Sequence, residues 1–247
     1  MAGTPVGIQL YTVRGDCQKD FTGTLKALAD MGYDGVEFAW DYGGMSPSEL
    51  ADFLKDVGLR ACGLHAPKDQ VDVADGDAFV YAKGVGCPYI STSIAGDVAE
   101  NWPSAIALVQ RAGAVAAEHG MQFSYHNHAQ EFETIDGQYA LDMLYAQTDA
   151  SQVMAELDTH WIAKGGADPA AYIRKYAGRV PQLHLKDIGP NGEFIEIGEG
   201  VLDLEGVLAA ASEAGSKWII YEQDRCERPA LESARISITN LRKVLGD

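Results

Sequence analysis

A chain of 247 residues, 47% of them hydrophobic, can bury one full α/β core, and no Pro/Ser/Gly-rich linker divides it, so a single domain over 1–247 is expected. Its 19 basic against 36 acidic side chains give a formal charge of −17, a field that repels phosphate backbones and anionic membranes and excludes nucleic acid and membrane as partners. The four cysteines (Cys17, Cys62, Cys87, Cys226) lie far apart with no CxxC pair, as reduced, buried thiols do.

Short apolar or β-branched runs alternate with helical-period segments along the whole chain. VGIQLYT (6–12) precedes a helical stretch at 20–31, GVEFA (35–39) one at 46–57, RACGLHA (60–66) one at 74–85, and PYISTSI (88–94) one at 101–119. MQFSYHNH (121–128) is followed by a helix at 137–148, VMAELDTH (153–160) by 168–177, PQLHLKD (181–187) by 203–214 and WIIYEQD (218–224) by 229–245. SPSEL and NWPSA read as capped helix starts with proline in the first turn, and Gly32, Gly58, Gly120, Gly178 and Gly215 stand where helix C-termini need a left-handed residue. Eight strand-helix units close into a (β/α)8 TIM barrel. A doubly wound open sheet is the rival, but no GxGxxG follows the first strand. The N-terminus, MAGTPVGIQLYTVRG, has no basic region followed by an apolar run, and no stretch of about 18 apolar residues occurs, so a cytoplasmic location is expected.

Four of the later strands end in an ionisable residue followed two positions on by a second polar one: His126 and His128, Asp158 and His160, His184 and Lys186, Glu222 and Asp224. Side chains at i and i+2 of a strand share a face, and barrel active sites lie at the strands' C-terminal ends. His126, Asp158, His184 and Glu222 therefore form an expected site for one divalent ion (Mn, Co, Mg or Zn), because two carboxylates and two imidazoles buried together need a cation. Lys186 fits either an oxyanion stabiliser or a salt bridge to Glu222 or Asp187. His65 and His128 are expected substrate contacts, as are Gln9 and Tyr11 on the inward face of the first strand. Glu37 reads as a substrate-binding or buried structural acid. Trp40, Trp102 and Trp161 are walls for a sugar ring or ordinary packing. IGEGVLDLEGV is rich in glycine but carries Glu196 and Glu199 and no P-loop lysine, so it is not a phosphate loop; Asp203 reads as a helix cap.

GIQLYTVR, GYDGVEF, GLHAP, YHNHAQEF, ELDTHWIAKGGADP, LHLKD, IGEGVLD and YEQD, spread over nearly the whole chain, together resemble the sugar phosphate isomerase/epimerase family of the xylose isomerase-like TIM-barrel superfamily. That resemblance implies metal ligands from strands 5 to 8, here the strand-5 residue, Asp158, His184 and Glu222. At strand 5 His126 stands where the family usually has glutamate, with Glu131 and Glu133 the nearby carboxylates. YHNH is similar to the inosose dehydratase-like branch.

The implied function is metal-dependent isomerisation or epimerisation of an unphosphorylated keto sugar or cyclic polyol ketone through an enediolate, with Glu131, His160, Lys186 and Glu222 moving protons. A lyase or dehydratase using the same site is the alternative. A non-catalytic sugar-binding barrel and a three-zinc endonuclease are lesser ones, the latter opposed by the charge. Homo-oligomerisation stays open.

Overall fold

The computed structural model describes residues 3–94 and 98–246. Eight parallel strands close into a barrel. They are β1 (Val6–Gln9), β2 (Gly35–Ala39), β3 (Arg60–His65), β4 (Tyr89–Thr92), β5 (Gln122–His126), β6 (Val153–Asp158), β7 (Gln182–Leu185) and β8 (Trp218–Tyr221). β8 pairs with β1 to close the ring.

Every expected helix is found: α1 (Phe21–Met31), α2 (Pro47–Val57), α3 (Asp77–Gly84), α4 (Val98–Glu118), α5 (Ala140–Ala146), α6 (Pro169–Lys175), α7 (Leu204–Ala214) and α8 (Ala230–Leu245). Ser46 begins α2 with a full capping box, Glu49 reaching back to the Ser46 amide. Asp203 caps α7 through the Gly206 amide. The five predicted glycines all have positive φ, from 70° at Gly120 to 97° at Gly32. NWPSA is a correction: α4 is already helical from Val98, so Asn101 does not cap it and Pro103 lies inside, removing one backbone bond.

The strands are shorter than the apolar runs implied, because each ends where its polar residues find a tighter turn. After Gln9 the chain enters a 3-10 turn, Leu10–Val13, with the Gln9 side chain accepting the Tyr11 amide, so Tyr11 is not on β1. Asp158 ends β6 by capping a short helix, Thr159–Lys164, through the Trp161 amide, so His160 is helical. Asp187–Ile188 leaves the barrel to pair antiparallel with Phe194–Ile195, which puts Lys186 at the corner.

Outward-facing residues such as Ile8, Phe38, Leu64, Phe123, Leu157 and Leu183 are fully buried under the helices. The barrel axis is filled differently at its two ends. Cys62, Tyr89, Trp218 and Ile220 make an apolar plug. Beside it lies a polar layer in which Gln182 donates to the Cys62 carbonyl and accepts from Ser124. Gly63 has no side chain because a Cβ there would stand 2.9 Å from the Glu37 carboxyl carbon and 2.6 Å from Gln182 Nε2.

The glycine-rich segment after β7 wraps an anion the chain itself supplies. The Asp187 carboxylate accepts from the amides of Ile188, Gly198, Gly200 and Leu202 at 2.8–3.2 Å. Glu196, itself buried, and Glu199 both pair with Arg228.

Candidate metal centre

Strand register assembles the site. Asp158 pairs with His184 across β6 and β7, and His126 with Glu156 across β5 and β6. Ligand atoms of His126, Asp158, His184 and Glu222 lie within 4.8 Å of one another, all four side chains buried. Asp158 uses Oδ1 to cap the following helix, and its own amide donates to Asn127 Oδ1. Its Oδ2 has the Lys186 ammonium 3.0 Å away but no aligned hydrogen bond, an atom a cation would complete.

His184 contacts carboxylates through both ring nitrogens: Nδ1 is 2.8 Å from Glu222 and Nε2 is 2.9 Å from Glu37. Burial opposes its charge, but Glu37 and Glu156 outweigh burial and hold its pKa well above the usual value. Glu37 is thus a buried acid that orients His184, as carboxylates do behind imidazoles that bind a metal. Lys186 is fully enclosed. Its ammonium lies 3.0 Å from Asp158, 2.8 Å from Glu222 and 2.6 Å from Asp224. Burial disfavours its charge, and the three carboxylates overcome that and raise its pKa. Burial, partly offset by Lys186, lifts the Asp158 carboxyl to about 6.

A cavity of about 300 Å³ opens above these groups, lined by Gln9, Tyr11, Trp40, His65, His126, His128, Lys186 and Glu222 among others. It has the volume of a small-ligand site. Trp40 stands at the rim with φ 50° and half its surface exposed, packed against Tyr11 and His65. Burial and Lys186 push His128 down to about 4, so it is neutral at pH 7.

Three expected site residues lie elsewhere. Glu131 is fully buried on a 3-10 turn (Gln130–Phe132), and its two oxygens accept from the Tyr125 hydroxyl and the His128 amide. It does not line the cavity. His160 is buried against Phe194, with Nδ1 3.1 Å from the Asp187 carbonyl. Trp161 sits behind His128 and Lys186. Trp102 is packing, its indole N–H donating to the Ala140 carbonyl. Glu156, two residues before Asp158 on β6, was not anticipated, and neither of its carboxylate oxygens has a hydrogen-bond partner.

The model of the xylose isomerase-like TIM barrel matches residues 25–244. The chain belongs to that family. Among curated proteins it is similar to the inosose dehydratase of Clostridium beijerinckii, 28% identical over 146 residues, which is 51% of this chain and 48% of the relative. The match thus spans about half the length of that relative. Among solved structures it is similar to a sugar phosphate isomerase/epimerase from Parabacteroides distasonis, with TM-score 0.83 and 20% identity over 99% of this chain and 96% of the other. An L-ribulose 3-epimerase matches with TM-score 0.75 and 15% identity over 98% and 94%. At such identities these structures establish the fold. Among the described residues no helix is long and apolar enough to cross a membrane.

Proposed function

We propose that this barrel is a divalent-metal-dependent enzyme that removes a proton α to the carbonyl of an unphosphorylated keto sugar or cyclic polyol ketone. The observation that carries the reading is the convergence of His126, Asp158, His184 and Glu222 beneath a sugar-sized cavity. Two carboxylates and two imidazoles suit Mn²⁺, Co²⁺, Mg²⁺ or Zn²⁺. A divalent ion held there supplies Lewis acidity toward a ketone oxygen.

The chain's own groups do the rest. Lys186, charged and fixed by three carboxylates, donates a hydrogen bond toward developing negative charge on the substrate oxygen. His128, neutral and also lining the cavity, accepts the α-proton as its bonding pair moves into the new C=C bond. The imidazolium so formed returns the proton to a β-hydroxyl, which leaves as water. An ammonium and a neutral imidazole, rather than two matched carboxylates, favour this elimination, in line with the inosose dehydratases among the relatives. Epimerisation, the activity named for one structural neighbour, needs matched bases on both faces, and His126 stands where the family resemblance implies a glutamate. Glu131 acts by positioning: it fixes the His128 backbone.

The test is incubation of Mn²⁺- or Co²⁺-loaded protein with keto sugars and inososes in D₂O. Deuterium exchange at the α-carbon with loss of water is expected. Exchange with retained water indicates isomerisation or epimerisation instead, and no exchange with any ketone refutes proton abstraction.

A further inference from the structure

Below the mouth the barrel carries a second group of ligating atoms. Glu156 points inward from β6 two residues before Asp158, is completely buried, and has no hydrogen-bond partner for either carboxylate oxygen. Its Oε2 lies 3.3 Å from His126 Nδ1 and 3.8 Å from His65 Nδ1. His126 Nδ1 is itself buried without a partner. His65 Nε2 is 3.2 Å from the Ser93 hydroxyl, and its Nδ1 faces Glu156 beside the Ser91 hydroxyl, 3.4 Å away.

These spacings are wide for hydrogen bonds, which centre near about 2.9 Å. They suit a shared ion. Two atoms each about 2.1 Å from one metal at a tetrahedral angle lie roughly 3.4 Å apart. The Glu156 Oε1 likewise lies 3.7 Å from His184 Nε2, again beyond hydrogen-bond range.

We propose that a second divalent cation binds beneath the first, held by His65, His126 and Glu156. His126 bridges the two ions as an imidazolate, its N–H proton lost to solvent, with Nδ1 toward Glu156 at 3.3 Å and Nε2 toward Asp158 at 3.7 Å. Asp158, His184 and Glu222 keep the upper ion, with coordination positions open to substrate. Two imidazoles and one carboxylate select Zn²⁺ or Co²⁺ below, whereas the upper set is harder and takes Mn²⁺ or Mg²⁺. His65, 14% exposed on the cavity wall, gives the ion a way in.

The experiment is Co²⁺ titration of the EDTA-stripped full chain, read by visible absorption and by elemental analysis of bound metal after gel filtration. Two equivalents are expected for the wild type. Glu156→Gln and His65→Ala should each bind one and lose the intense tetrahedral cobalt band, and Asp158→Asn should bind one and keep it. A single equivalent in the wild type, or two in both Glu156→Gln and His65→Ala, overturns the lower site. Failure of Asp158→Asn to lose an ion counts against the upper centre alone. Should circular dichroism show Glu156→Gln unfolded, His65→Ala decides.

Discussion

Lys186→Met separates the two cations that compete for the mouth of the barrel. The ammonium lies 2.6–3.0 Å from Asp224, Glu222 and Asp158, and all four groups are largely or wholly shielded from water. Removing it leaves buried carboxylates without a counter-ion, a defect that costs about 3–5 kcal/mol when one partner of a buried pair is lost. A domain has only about 5–15 kcal/mol of stability, so in EDTA the variant should melt roughly 6–20 °C below the wild type, at about 2–4 °C per kcal/mol. Excess Mn²⁺ should reverse much of this, because an ion at about 100 times its Kd adds about 2.7 kcal/mol. In the wild type the ion must share Asp158 and Glu222 with the ammonium, so the same Mn²⁺ should raise its melting temperature less. Thermal unfolding followed by circular dichroism, with EDTA and with Mn²⁺, reads all four numbers. A variant melting within about 2 °C of the wild type in EDTA, or equal Mn²⁺ shifts in both proteins, refutes the reasoning.

Asp158→Ala and Glu222→Ala should abolish turnover and weaken metal binding by more than the about 10–100-fold typical of losing a ligand's hydrogen-bond partner, with the fold retained; full metal content in both would remove them from the shell. Metal affinity should fall as pH drops, because His184, its pKa raised, must release a proton on binding. Isothermal titration should show about tenfold per pH unit above pH 6 and a steeper fall below, where Asp158, near 6, also protonates. A flat profile between pH 5 and 8 would contradict this. Glu131, pushed up to about 7 by burial despite the Tyr125 hydrogen bond, favours the folded state fully below its ordinary pKa and loses that contribution as pH rises through 7. Glu131→Gln should therefore gain on the wild type by about 3 kcal/mol between pH 4.5 and pH 8, seen in urea midpoints, while retaining activity; a pH-independent gap, or a dead enzyme, would reverse its assignment.

The barrel was legible because the apolar runs, glycine stops and Ser46 cap all agree with one another along the chain. The mouth was legible for the first member of each pair, His126, Asp158, His184 and Glu222, since these sit at or beside strand ends. The second members followed strand geometry less well. His160 departs because Asp158 caps a helix, whereas Lys186 stays at the site because the chain turns a corner there. Glu131 is close to the site in sequence, but its 3-10 turn folds it under Tyr125. Glu156 could have been found by the same i, i+2 rule run backward from Asp158. It reads as an ordinary strand residue in MAELD, and only the register across to His126 gives its isolation meaning.

The four amides that close on Asp187 belong to the segment after strand 7, one of the loops with which barrels often receive a substrate's phosphate. With a covalently tethered anion there, the segment keeps its shape whether or not substrate is present. An arriving phosphate would find these four amides already taken by Asp187.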